Sequence, residues 1–149
     1  MRVITGTARG RVLRTLEGED VRPTTDRVKE AVFSIIQFEI EGRRVLDLFA
    51  GSGQLGIEAL SRGAASATFV DMSKDSLSAV KYNLEHTKLG DNAKVVQTDA
   101  LSFLKLTKDK FDIVFLDPPY ASSLVTDSMK LLSDVVAAGG CAICETPVD

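Results

Sequence analysis

Arg44-Val45-Leu46-Asp47-Leu48-Phe49-Ala50-Gly51-Ser52-Gly53-Gln54-Leu55-Gly56 is the stretch on which the fold turns. Its first half is a short apolar run, the pattern of a buried strand. Its second half is a G-x-G-x-x-G turn that opens a helical pattern over 54–62, ending near Gly63. A second apolar run, Ala67-Thr68-Phe69-Val70-Asp71, ends on an acid 20 residues after Gly51. A strand, a glycine turn, a helix and an acid at that distance are the parts of a nucleotide-binding βαβ unit.

The alternation continues on both sides. Downstream, the patterns predict a helix from 73 or 74 to 86, a strand over 94–99 and a short helix over 100–106. A strand over 111–117, a helix over 122–137 closed by Gly139-Gly140, and a fifth strand over 141–145 follow. Upstream, residues 2–15 read as a strand pair around Ala8-Arg9-Gly10. Arg22-Pro23-Thr24-Thr25-Asp26 carries helix-start chemistry, and Val28, Ala31, Val32, Ile35 and Ile36 then mark one helix face. Strands alternating with helices imply right-handed crossovers and an α/β, doubly wound, mostly parallel Rossmann-like sheet. The expected organisation is a basic N-terminal hairpin arm over 1–20 and one domain over 21–149.

With 149 residues, 44% of them hydrophobic, the chain suits one domain with a real core. It has no apolar run of membrane-spanning length and no signal-peptide pattern, and with its two cysteines read as free thiols a cytoplasmic location is expected. Cys141-Ala142-Ile143-Cys144 lies in an apolar run, where buried thiols are expected; one such pair does not complete a four-ligand zinc site, and no metal is expected. The net charge of −3 argues against coating nucleic acid by charge alone. Arg2, Arg9, Arg11 and Arg14 nevertheless all precede the first acid, Glu17, so any nucleic-acid contact should use this segment. The single histidine, His86, falls near the end of a polar helix and reads as solvated.

Asp47, Asp71, Asp99 and Asp117 all fall at or near predicted strand ends. Ligands of open α/β sheets sit there, and carboxylates are costly to bury without donors. A dinucleotide is the first candidate, in a nicotinamide or flavin enzyme. A carboxylate at Asp47 would repel a pyrophosphate, however, and suits a cationic ligand instead. S-adenosylmethionine carries a sulfonium and an ammonium and no phosphate. On this reading Asp71 accepts from the ribose hydroxyls and Asp99 meets the adenine amino group.

Asp117-Pro118-Pro119-Tyr120 has no task in an oxidoreductase. Two prolines end a strand and fix the backbone. A rigid turn of this kind can present two acceptors, the Asp117 carboxylate and the Pro118 carbonyl, to the hydrogens of one planar amine. Such an amine is a poor nucleophile because its lone pair is delocalised. Acceptors on its hydrogens stabilise the positive charge that develops as a methyl group arrives. Tyr120 can stack on the base. No metal or covalent nucleophile is required.

These residues resemble the amino-methyltransferases with a D/N-P-P-Y/F motif, and more closely the bacterial 16S ribosomal RNA guanine-N2 methyltransferase family. The resemblance rests on three blocks, 22–33, 45–64 and 117–120, with 2–6 and 9–11 also similar, and covers essentially the whole chain. It implies methyl transfer from S-adenosylmethionine to a guanine N2, on ribosomal RNA or a small-subunit particle, with Asp117, Pro118, Pro119 and Tyr120 at the acceptor amine. It implies a cofactor site of Asp47, Phe49, Ala50, Gly51, Ser52, Gly53, Asp71, Met72, Asp99 and Ala100. It implies Thr24 and Arg27 near the methionine end or the substrate, while Arg9 and Arg11 belong to the basic segment. Adenine-N6 of DNA and a glutamine amide remain alternative acceptors, since the motif serves any planar conjugated amine. An oxidoreductase and a noncatalytic nucleic-acid-binding relic are the other readings. The family's sheet ends with a further strand pair that this sequence lacks, which predicts an exposed apolar edge around 141–144 and self-association through it.

Overall fold

The computed structural model describes residues 1–16, 25–116 and 123–144. The described elements are α1 (Thr25–Ile36), β1 (Arg44–Leu48), α2 (Gln54–Ser61), β2 (Ser66–Asp71), α3 (Lys74–Thr87), β3 (Ala93–Gln97), α4 (Ala100–Leu106), β4 (Phe111–Leu116), α5 (Ser123–Leu132) and β5 (Val136–Cys144). The strands form one sheet in the order β3-β2-β1-β4-β5. Every neighbouring pair is parallel. No described helix is long and apolar enough to cross a membrane.

Side chains alternate across the sheet as the strand period requires. Val45, Phe69, Ile113 and Phe115 face one core, shared with Phe33 of α1, Ile57 of α2 and Val80 of α3. Leu46, Leu48, Val70 and Val114 face the other, closed by Leu104 of α4 and Leu132 of α5. Both faces are covered, which is why the strands are nearly continuous apolar runs. From β1 the chain winds outward to β2 and β3, then returns to β4 on the other side. The switch point therefore lies between β1 and β4, where a doubly wound sheet opens its ligand crevice. Leu48 pairs with Leu116 in the β1–β4 register, so β1 and β4 end next to each other at one end of the sheet.

Three expectations are corrected. The buried face of α1 is Lys29, Phe33 and Ile36, so the predicted stripe holds only in part: Ile36 is buried and Val32 packs against the core, but Ile35 is 76% exposed and Ala31 is exposed. The helix over 122–137 stops at Leu132, and the chain enters β5 at Val136. Val136 pairs with Phe111 and Cys141 with Ile113, so residues 137–140 bulge opposite Asp112. Gly139, at φ +79°, belongs to that bulge and not to a helix end. The cysteines are not buried, because β5 lies at the edge of the described sheet: Cys141 is half-exposed and Cys144 exposed.

The N-terminal hairpin is docked, not projecting. Val3 N–H donates to the Arg11 carbonyl at 3.0 Å and Gly10 N–H to the Val3 carbonyl at 2.9 Å. Val3, Ala8 and Leu13 are buried in the core, while Arg2, Arg9, Arg11 and Arg14 stay exposed. A buried carboxylate fastens it. Glu58 of α2 accepts from the backbone N–H groups of Ile4 (2.8 Å) and Thr5 (3.0 Å). It also pairs with Lys29 at 3.2 Å and Arg62 at 2.8 Å.

Candidate cofactor and acceptor site

The site is built on the turn that follows β1. Phe49 (φ +63°), Gly51 (φ +58°) and Gly53 (φ +85°) all adopt left-handed backbone. Glycine does so freely, whereas Phe49 is strained and persists because its surroundings fix it. Those surroundings are long-range. Ala50 N–H donates to the Val70 carbonyl at 2.9 Å. Gly51 N–H donates to Asp71 Oδ2 at 2.9 Å. Asn83 Nδ2 of α3 donates to the Ser52 carbonyl at 3.0 Å. The turn is thus tied to β2 and α3 before any ligand arrives.

The glycines of the motif divide their work. A Cβ on Gly56 would lie 2.4 Å from the Phe69 ring, and one on Gly53 would crowd Ile57, Val80 and Phe69. Both residues therefore let α2 approach β2 and do not open space for a ligand. Gly56 N–H donates to Asp47 Oδ2 at 2.9 Å. Asp47 is 2% exposed, and this contact makes it a clamp of α2 onto β1. The sequence expectation set it beside a cationic ligand at the open edge; one of its oxygens is engaged by this backbone N–H.

The acids of β2 and β3 are at that edge. Asp71 ends β2 half-buried, with Oδ2 on Gly51 N–H and Oδ1 accepting Ser73 N–H at 2.8 Å. Each carboxylate oxygen has two lone pairs, so both keep capacity for a further donor. Asp99 caps α4 by accepting Ser102 N–H at 2.9 Å. Hydrogen bonds from the Ser102 side chain and then its backbone hold the Asp99 carboxyl below its usual range. Met72 is exposed beside Asp71, and Ala100 is buried under Asp99.

The structure thus brings Phe49, Ala50, Gly51, Ser52, Gly53, Asp71, Met72, Asp99 and Ala100 to the carboxyl ends of β1, β2 and β3. Thr24 and Asp117, Pro118, Pro119 and Tyr120 lie outside the described residues. Arg27 is exposed on the first turn of α1. Arg9 and Arg11 are not beside the glycine turn. The tip of their hairpin is tied to Ser61, through Thr7 N–H to its carbonyl (2.8 Å) and Ala8 N–H to its Oγ (3.0 Å). Ser61 ends α2, and an eight-residue helix puts that end about 12 Å from the turn. The hairpin arginine near the turn is Arg14. Its N–H donates to Asn83 Oδ1 at 2.7 Å and its carbonyl accepts from Asn83 Nδ2 at 2.9 Å. Its guanidinium lies 3.8 Å over the Tyr82 ring, which stacks on His86.

Asn83 was not singled out in the sequence. A signal existed: it falls on the buried stripe of α3 with Leu77, Val80 and Leu84, where a polar residue needs partners. Gln54 was missed as well. Its Nε2 donates to Ser52 Oγ at 3.1 Å, and its Oε1 is buried without a hydrogen-bond partner.

Strand order, glycine turn and the acid closing β2 together define a Rossmann-like nucleotide-binding fold, and its likeness to known proteins narrows it to the methyltransferases. Residues 1–149 match the family model described as conserved hypothetical protein 95. Ribosomal RNA small subunit methyltransferase D of Haemophilus influenzae is 42% identical over 137 residues, covering 90% of this chain and 71% of that protein. Its Escherichia coli counterpart is 43% identical over 134 residues, covering 90% and 67%. The solved structure of yhhF from Escherichia coli superposes with a TM-score of 0.91 at 41% identity, covering 100% of this chain and 82% of that one. The chain belongs to this family, that of the small-subunit ribosomal RNA methyltransferase D proteins.

Proposed function

We propose that this chain transfers the methyl group of S-adenosylmethionine to the exocyclic N2 of a guanine in small-subunit ribosomal RNA. The observation that carries the reading is the pairing of Leu48 with Leu116. It starts the Gly51 turn and the Asp117-Pro118-Pro119-Tyr120 segment from adjacent parallel strands, about 5 Å apart. A methyl donor at the first and an amine at the second are then neighbours, and proximity supplies much of the acceleration. The named activity of the two methyltransferase D relatives supports the acceptor class.

The donor set fits the cofactor. Asp71 offers its remaining lone pairs to a ribose diol, and Asp99 offers a carboxylate to the adenine amine. The pinned turn presents its backbone to the amino-acid end. Bound there, S-adenosylmethionine would supply an electrophilic methyl carbon to the acceptor nitrogen's lone pair, with the S–C electron pair left on its sulfur. The Asp117 carboxylate and the Pro118 carbonyl accept the amine hydrogens, and as charge develops on the nitrogen one proton passes from it to solvent. Tyr120 stacks on the base, which must be unstacked or presented in a loop. The exposed arginines of the hairpin meet the phosphates.

The test is labelled methyl transfer to small-subunit ribosomal RNA isolated without the modification, with mass spectrometry of the nucleosides. The expected product is N2-methylguanosine. Label in N6-methyladenine of DNA, in a glutamine amide, or in nothing overturns the reading.

A further inference from the structure

A buried polar atom without a partner demands an explanation, because it loses its water and gains no hydrogen bond in return. Gln54 Oε1 is such an atom, and it sits at the first position of α2, directly after the Gly51–Gly53 turn. The amide is folded back over that turn, since its Nε2 donates to Ser52 Oγ. Ser52 is itself fully buried, with its carbonyl held by Asn83. The carbonyl oxygen of Gln54 is therefore fixed at the turn and has no donor among the described residues.

The chemistry of the missing donor follows from the neighbours. The cofactor brings three kinds of N–H or O–H donor: ribose hydroxyls, an adenine amine and the ammonium of its amino-acid end. Asp71 and Asp99 close β2 and β3, and those strands lie successively farther from β1. They take the first two. Asp47, the carboxylate of β1, points at Gly56 N–H beneath the turn. We infer that Gln54 Oε1 accepts a hydrogen bond from the cofactor's ammonium and so reads the amino-acid end of the methyl donor. An acceptor that faces a cation forms the stronger kind of hydrogen bond. The inference rests on the methyl-donor reading above and adds to it the residue that recognises one end of the donor.

The test compares two probes by calorimetric titration: S-adenosylhomocysteine, and 5′-methylthioadenosine, which shares its nucleoside and thioether but lacks the amino-acid group. Gln54→Met keeps length and removes the acceptor. It is expected to weaken S-adenosylhomocysteine about ten-fold or more and to leave methylthioadenosine within about two-fold. Gln54→Glu keeps an acceptor and adds charge, and is expected to raise the preference for S-adenosylhomocysteine above that of the unsubstituted chain. Equal weakening of both probes by Gln54→Met shows a role in turn structure and overturns the inference. So does no change in either, which assigns the acceptor to water. Where Gln54→Met does not fold, an unaltered preference in Gln54→Glu overturns it. If the unsubstituted chain binds neither probe, it is the methyl-donor reading that fails. If it binds both equally, the reading stands and the inference falls.

Discussion

Glu58→Gln keeps the shape of a buried side chain and removes its charge. Glu58 is fully buried, and four donors converge on it: the N–H groups of Ile4 and Thr5, the Lys29 ammonium and the Arg62 guanidinium. An amide offers one oxygen where the carboxylate offered two, and turns an NH2 toward donors. Lys29, whose side chain is 2% exposed, loses this carboxylate while staying buried. Breaking a buried pair from one side costs about 3–5 kcal/mol. At about 2–4 °C per kcal/mol for a chain of this size, the melting temperature should fall by about 6–20 °C. Hydrogen exchange adds a local readout, since the Ile4 and Thr5 amides should lose protection first. A second substitution, Lys29→Met, should recover part of the loss in the Glu58→Gln background by removing a buried cation that has lost this carboxylate, although it also gives up the bond from Lys29 Nζ to the Arg2 carbonyl (2.9 Å). Burial pushes the Glu58 carboxyl up, but the hydrogen bonds from Ile4, Arg62 and Thr5 and the Lys29 charge outweigh it and hold it below its ordinary value of 4.5. A depressed carboxyl contributes stability above the unfolded value and loses it as pH falls through the folded one. The melting gap between wild type and Glu58→Gln should therefore be full at neutral pH and close as the pH drops below 4.5. A gap of less than about 2 °C at pH 7.5, or one that widens in acid, refutes the reasoning.

Three further outcomes are expected. Asp71→Asn removes the carboxylate that holds Gly51 and Ser73, and should weaken S-adenosylhomocysteine at least about ten-fold by calorimetry; retained affinity would remove Asp71 from the site. Gly56→Ala sets a methyl group 2.4 Å from the Phe69 ring and should lower stability by about 1–3 kcal/mol in urea unfolding. Asp117→Ala should leave S-adenosylhomocysteine affinity nearly intact and slow methyl transfer by about two orders of magnitude or more, measured in single turnover.

The sheet was legible because its signal is local and repeated. Five apolar runs, each followed by a turn or a helix start, give the strands β1 to β5, and the alternation with helices gives their parallel order. The misreadings occurred where tertiary contacts override pattern. Val136-Ala137-Ala138 before Gly139-Gly140 looks like a helix and its stop, yet the run is the start of a strand with a bulge, fixed by pairing with β4. In α1 the stripe Val28, Ala31, Val32, Ile35 and Ile36 is the more hydrophobic face, but Lys29 is buried while Ala31 and Ile35 are exposed, because Glu58 is there to receive it. No window of sequence contains both residues. The same holds at the site. The turn and Asp71 can be read from spacing, whereas the partner of Asp47 is a backbone N–H and the role of Asn83 depends on Arg14, 69 residues away.

That last contact bears on how the turn pays for its strain. Phe49, Gly51 and Gly53 hold left-handed backbone in a five-residue span, a conformation that isolated chains seldom populate. The turn is held by Asp71 from β2, by the Val70 carbonyl, and by Asn83, which grips the Ser52 carbonyl and both backbone groups of Arg14. The strain is therefore met by folding, and a ligand need not order the loop when it binds. Asn83 also makes the chain leaving the hairpin, the face of α3 and the glycine turn parts of one hydrogen-bonded unit. The glycine turn and the basic hairpin are joined through one buried side chain, so loss of that amide should loosen both ends together.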